Sequence, residues 1–74
     1  MKYTDKTEIS KSEYLQLVGL LTLASQHQRA MEDIRTAALQ ITGETDDCGH
    51  TYDAIWSGYS ADELLGKLGI KVTD

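Results

Sequence analysis

Phenylalanine and proline are absent from this 74-residue chain, and cysteine occurs once. A single thiol excludes a disulfide within the chain, the staple that many very small domains rely on. Without proline, and with six glycines, nothing marks a long linker, and helices are free to run on. Basic residues are scarce: seven Lys and Arg against twelve Asp and Glu leave a net charge of −5. That balance excludes the clustered cations of non-specific nucleic-acid binding, so no direct nucleic-acid contact is expected. Its plainest use is an acidic surface that keeps the protein dissolved; docking on a basic protein surface, or nucleic-acid mimicry, is the rarer one. Long apolar runs are missing too. The richest, Leu17–Ala24, is interrupted by Gly19 and Thr22 and falls short of the roughly 20 residues a bilayer requires. Residues 1–10 are polar and mixed in charge, unlike a secretory signal. The expected protein is cytoplasmic, with no membrane contact.

What is present is one long stretch of helical period, Ser10 to Gly43. Ser10 and Glu13 have the spacing of a capping box, and Ile9 and Tyr14 occupy the staple positions around it. Gly43 suits the left-handed residue that closes a helix, and Thr42, a poor helix former, suits its last position. Between them Leu17, Leu20, Ala24, His27, Met31, Ile34, Ala38 and Ile41 recur in alternating steps of three and four, a heptad-type seam. Tyr14, Val18 and Leu21 form a second row, and Leu15 and Leu23 leave residues 14–24 with little polar face. A helix over residues 11–42 would be roughly 48 Å long at about 1.5 Å per residue. The rest of the chain is too short to cover it. A second copy is therefore expected to pack along the seam, giving a homodimer or higher oligomer. The alternative is a hairpin with a break near Ser25, where Ser25 and Gln28 repeat the S-x-x-Q pattern. No glycine or proline marks that break, and the unbroken helix is preferred.

The flanks carry less. Residues 1–9 lack helical period and are expected to be a flexible arm, with a short strand as the weaker option. Residues 44–50 form a polar loop. Thr51 is placed to cap a short helix over residues 52–57, ended by Gly58. Ser60 and Glu63 make a second capping box, with Tyr59 and Leu64 as its staple and Gly69 closing a helix over residues 61–68. Leu65 and Ile70 have the spacing of a Schellman contact. Residues 71–74 are expected to fray. The fold class that follows is all-α: one long helix and two short ones in a single domain, a small bundle completed by oligomerisation.

Few residues suggest chemistry. Asp46, Asp47, Cys48, His50 and Asp53 are metal-ligand types. Yet C-x-H is not a zinc spacing, no second Cys/His pair completes four ligands, and no calcium loop is present. A Cys48–His50 thiolate needs an orienting partner and a pocket that this spacing does not provide. No metal, cofactor or catalytic residue is expected. His27 could switch with pH across a symmetric interface, but a polar seam residue more often fixes register. Tyr52, Trp56 and Tyr59, four and three apart, would form one aromatic stripe on a near-helical segment. Such a stripe serves as a lid on the long helix, the favoured reading, or as a partner or ligand surface.

The succession of a short arm, YLQLVGLLTLASQHQRAMEDIRTAALQITGE, the turn GHTYDAIWSG and the closing SADELLGKLGI resembles small accessory proteins encoded by tailed phages and prophages. The resemblance spans most of the chain and assigns no residue a role. It implies a protein that binds and modulates a host protein in the bacterial cytoplasm, or one that sequesters a small signalling molecule. The leading expectation is thus a non-enzymatic interaction protein. The alternatives are an oligomeric binder of nucleotide-type molecules, with a pocket around Tyr52, Trp56 and Arg29 or Arg35, and a minor structural virion component.

Overall fold

Ser10 begins the first helix in the way its spacing dictates. Its hydroxyl accepts from the Glu13 amide at 3.1 Å, and the Glu13 carboxylate accepts from the Ser10 amide at 3.1 Å. The computed structural model describes residues 4–44 and 49–73. In chain order these form strand β1 (Glu8–Ser10), helix α1 (Lys11–Gln26), a 3-10 turn (Gln28–Ala30), and helix α2 (Met31–Thr42). Helices α3 (His50–Ser57) and α4 (Ala61–Leu68) and strand β2 (Lys71–Thr73) follow. The molecule is mostly helical. None of these helices is long and apolar enough to cross a membrane.

The single helix expected over residues 11–42 is two helices folded against each other. The molecule's longest dimension is 30 Å, which already excludes a straight helix of that length. His27 leaves the helix at φ −130°, ψ 78°, and its amide still bonds the Leu23 carbonyl at 2.8 Å. Just before it, Thr22 bonds the Val18 carbonyl and Ser25 bonds the Thr22 carbonyl. Side chains that bond backwards in this way compete with the backbone and weaken a helix end. Ser25 lies inside α1, and α2 begins at Met31 behind Ala30, which gives it no side-chain cap. The gain lies in burial: the seam closes on itself. Leu17 and Ala24 of α1 are buried with Ile34, Ala38 and Ile41 of α2 in one core. Ala54 and Ile55 of α3, and Leu64, Leu65 and Leu68 of α4, complete it.

The two ends also depart from expectation. In place of an unstructured arm and a frayed tail, β1 and β2 pair in parallel, with Ile9 opposite Val72 and Ser10 opposite Thr73. Ile9 and Ile70 are buried. The segment before β1 caps α2: the Thr4 hydroxyl donates to the Thr42 carbonyl at 2.7 Å, and the Lys6 ammonium donates to the Gln40 and Ile41 carbonyls. A cation over the last carbonyls is where the helix dipole favours it. Tyr3 and Asp74 lie outside the described residues.

The expected helix closures are present. Gly43, Gly58 and Gly69 all take positive φ, near 70–76°. Helix α4 starts on Ser60, whose hydroxyl accepts from the Glu63 amide, and ends with the Ile70 amide on the Leu65 carbonyl. Helix α3 begins at His50, so Thr51 lies within it rather than capping it.

The Ser10 box yields a first testable result. Ser10→Ala should lower stability by about 1 kcal/mol, read as a shift of the urea midpoint at constant slope. The Glu13 carboxylate is held below its ordinary 4.5, chiefly by the Ser10 amide and also by Lys6. A lowered carboxylate stabilises fully above 4.5, and the contribution is lost as pH falls through the lowered value. The Ser10 amide survives in Ser10→Ala, so the variant that reads this is Glu13→Gln. Its stability difference from wild type should shrink on acidification, and a difference that stayed constant below pH 4 would contradict this.

Candidate functional site

Helix α3 has no cap from its own first residue. Glu44, six residues ahead of it, supplies one. Its carboxylate accepts from the His50 amide at 3.0 Å and the Thr51 amide at 2.8 Å, and the residue is only 4% exposed. A negative charge on free amides at a helix start is favourable on both hydrogen-bonding and dipole grounds. Beneath it the buried hydroxyls of Thr42 and Thr51 bond at 3.0 Å, tying α3 to the end of α2. This knot fixes α3 beside α2.

From that position α3 presents Tyr52 and Trp56, one turn apart, toward α2. Their ring centroids are 5.9 Å apart with planes tilted by 41°. Together with Met31, Glu32 and Arg35 they line a cleft of about 150 Å³. Trp56 is 58% exposed, while Tyr52, Met31 and Arg35 are half-buried. The expected lid is thus not a lid at Trp56. Nor is there a three-ring stripe: the left-handed turn at Gly58 sends Tyr59 elsewhere. Tyr59 packs against the core, lies 5.2 Å from the Lys67 ammonium, and borders a groove with Tyr14 and Val18. Beside that groove the Tyr14 hydroxyl donates to Asp62 at 2.9 Å. The Asp62 hydrogen bond and the nearby carboxylate charge raise the Tyr14 phenol above its ordinary 10.

The eight seam residues expected between copies are mostly committed within one. Leu17, Ala24, Ile34, Ala38 and Ile41 are buried in the isolated chain, and Leu20 and Met31 are half-buried against the same core. His27 is exposed at the hinge, bordering a shallow depression with Ser25, Gln26, Arg29 and Ala30. It marks where the helix ends, not a register position.

Asp46, Asp47 and Cys48 lie outside the described residues. Among the described residues, no three His, Cys, Asp or Glu side chains gather where they could hold a metal ion. Sequence reasoning gives Glu44 and Glu32 no role at a site and places Met31 on the seam between copies rather than in the cleft. Glu44 carried one signal, a lone carboxylate ahead of a helix that lacks its own cap.

Trp, Tyr, Arg and Met are the side chains enriched where proteins bind one another. The cleft is smaller than the roughly 300–1,000 Å³ of small-molecule sites, but it suits one inserted side chain. The chain matches no protein-family model, no curated protein and no solved structure.

Proposed function

We propose that this chain is a small acidic interaction protein with no catalytic role, phage-encoded, that binds and modulates a host protein through the cleft between α2 and α3. The observation that carries the reading is Trp56: a large ring left 58% exposed beside Tyr52, Met31 and Arg35. A tryptophan in contact with water on a helix this short loses apolar burial that a partner would restore. Glu32, exposed at the cleft's edge, offers a charged acceptor that would help set the orientation of an inserted side chain. The net charge of −5 would speed encounter with a basic partner surface, so association should slow as salt is raised.

The test is a binding comparison. A host protein that co-purifies with the wild-type chain should bind Trp56→Ala at least about 30-fold more weakly, the loss expected of a hot spot worth about 2 kcal/mol. The far-UV circular dichroism should stay helical and the melting temperature should fall only modestly, because more than half of the residue is exposed while its ring still rests on Tyr52. A partner that held Trp56→Ala and Tyr52→Ala as tightly as wild type would place its contact elsewhere and end the proposal. The nucleotide-binding alternative draws on the same side chains, since Tyr52, Trp56 and Arg35 share the cleft. The cleft's volume weighs against it, and a thermal-shift series with nucleotides should show no stabilisation.

A further inference from the structure

We propose that two copies of this chain pair through the outer face of α1, antiparallel and centred on Gly19. This inference does not depend on what occupies the Trp56 cleft. The face is the ridge Lys11, Leu15, Gly19, Leu23 and His27, spaced by four and turned away from the core. Leu15 is 59% exposed, Leu23 44% and neighbouring Val18 37%. These are three of the five large apolar side chains that stand open on the described surface.

Charge selects a second copy as the occupant. A chain of net charge −5 repels itself wherever carboxylates oppose carboxylates. Helix α2 carries Glu32 and Asp33, α3 carries Asp53, and α4 carries Asp62 and Glu63. From Tyr14 to Gln28 there is no Asp, Glu, Lys or Arg at all. Glu13, just before this stretch, lines the groove beside Gly19. Antiparallel copies centred on Gly19 set it near the partner's Ser25 rather than the partner's Glu13, so two copies can meet along α1 without these carboxylates facing. The rim is also self-complementary, since Gln16 and Gln40 carry amides that both donate and accept.

Gly19 supplies an independent reason. It is helical, and an added Cβ would meet nothing within 4 Å in the chain's own fold. Neither a turn nor a close contact explains a glycine there, where it weakens the helix relative to alanine. A partner helix crossing at Gly19 does explain it, because a missing side chain lets two backbones approach. The ridge is symmetric about that point, so an antiparallel twofold sets Leu15 against the partner's Leu23, and the reverse. Leu15 of the partner then enters the groove of about 560 Å³ beside Gly19, Leu20, Leu23 and Ala37. The same direction brings Lys11 toward the last turn of the partner's α1, which has no basic residue of its own. There its charge favours the helix dipole. The 16-residue helix offers a strip only about 24 Å long, short of a standard interface of about 800 Å² per partner. The pairing is therefore a micromolar one.

Light scattering across 10–500 µM should move from the 8.2 kDa of one chain toward twice that mass. Leu15→Glu/Leu23→Glu should stay monomeric at 500 µM with an unchanged circular dichroism spectrum. Gly19→Leu should weaken pairing at least tenfold while raising the melting temperature of dilute protein, opposite signs that a purely structural glycine would not give. In a Cys48→Ser background, Gly19→Cys should oxidise to a linked dimer, as should a mixture of Leu15→Cys and Leu23→Cys chains. A wild-type chain still monomeric at 500 µM would overturn the proposal. So would efficient oxidation of Leu15→Cys with itself, which requires parallel helices.

Discussion

Leu17→Ala should remove about 2–5 kcal/mol of stability. Leu17 is fully buried where α1 meets the other helices, so the loss combines transfer of the missing methyl groups with the cavity left behind. A 74-residue chain at about 0.05–0.15 kcal/mol per residue holds only roughly 4–11 kcal/mol in all. The variant should therefore be partly unfolded at 37 °C, with a urea midpoint far below wild type. Leu15→Ala, two residues away on the exposed face, should change stability by less than about 0.5 kcal/mol. The Leu17→Ala loss should also be the same at 1 and 100 µM, because its neighbours belong to the same chain. A loss that faded at high concentration would return this residue to an interface between copies.

Glu44→Ala is expected to cost about 2–3 kcal/mol, since it strips a charged acceptor from the His50 and Thr51 amides and leaves the Thr51 amide buried without a partner. Glu44→Gln, which keeps one acceptor oxygen, should lose less. Gly49 has φ −89°, open to any residue, so its glycine is a matter of space. A Cβ there would overlap the Glu44 carboxylate, and Gly49→Ala should cost about 1–3 kcal/mol through overpacking. The two changes should not add. Once the carboxylate is gone, alanine at 49 meets little, and the double variant should be close to Glu44→Ala alone. Full additivity in chemical denaturation would mean that Gly49 is there for some other reason.

Local signals were legible in the sequence and distant ones were not. Ser10 with Glu13, Ser60 with Glu63, and the closing glycines at 43, 58 and 69 declare themselves because each cap lies within a few residues. Of the two expected boxes, the reciprocal bond is formed at Ser10 and only the Ser60 hydroxyl bond at Ser60. The hinge at His27 hid because its dihedral angles lie at negative φ, which any residue adopts. The polar member of an otherwise apolar seam was its only trace, and a register position explains such a residue equally well. The strands hid for a different reason. Three residues each, E-I-S and K-V-T, are too few to show alternation, and their pairing is decided by a segment at the other end of the chain. At the candidate site, the four-residue spacing of Tyr52 and Trp56 reported their adjacency correctly. Tyr59 did not follow, because Gly58 ends the helix between them. Met31 and Glu32 joined the cleft only through the fold-back of α2, which the seam alone did not specify. Whether Gly19 serves a partner is the same kind of question, since its reason lies outside its own helix.

The parallel pairing of β1 with β2 bears on the order of assembly. The Thr73 hydroxyl bonds the Ile9 carbonyl across 64 positions of chain, and the entropy of closing a loop grows with its length. The helical hairpin of α1 and α2 needs only a neighbouring segment, so it is free to form early. The pairing of β1 with β2 joins segments on either side of all four helices, so it is expected to follow their docking. The slow, topology-limited step of this largely helical molecule is thus expected to be the pairing of these six strand residues.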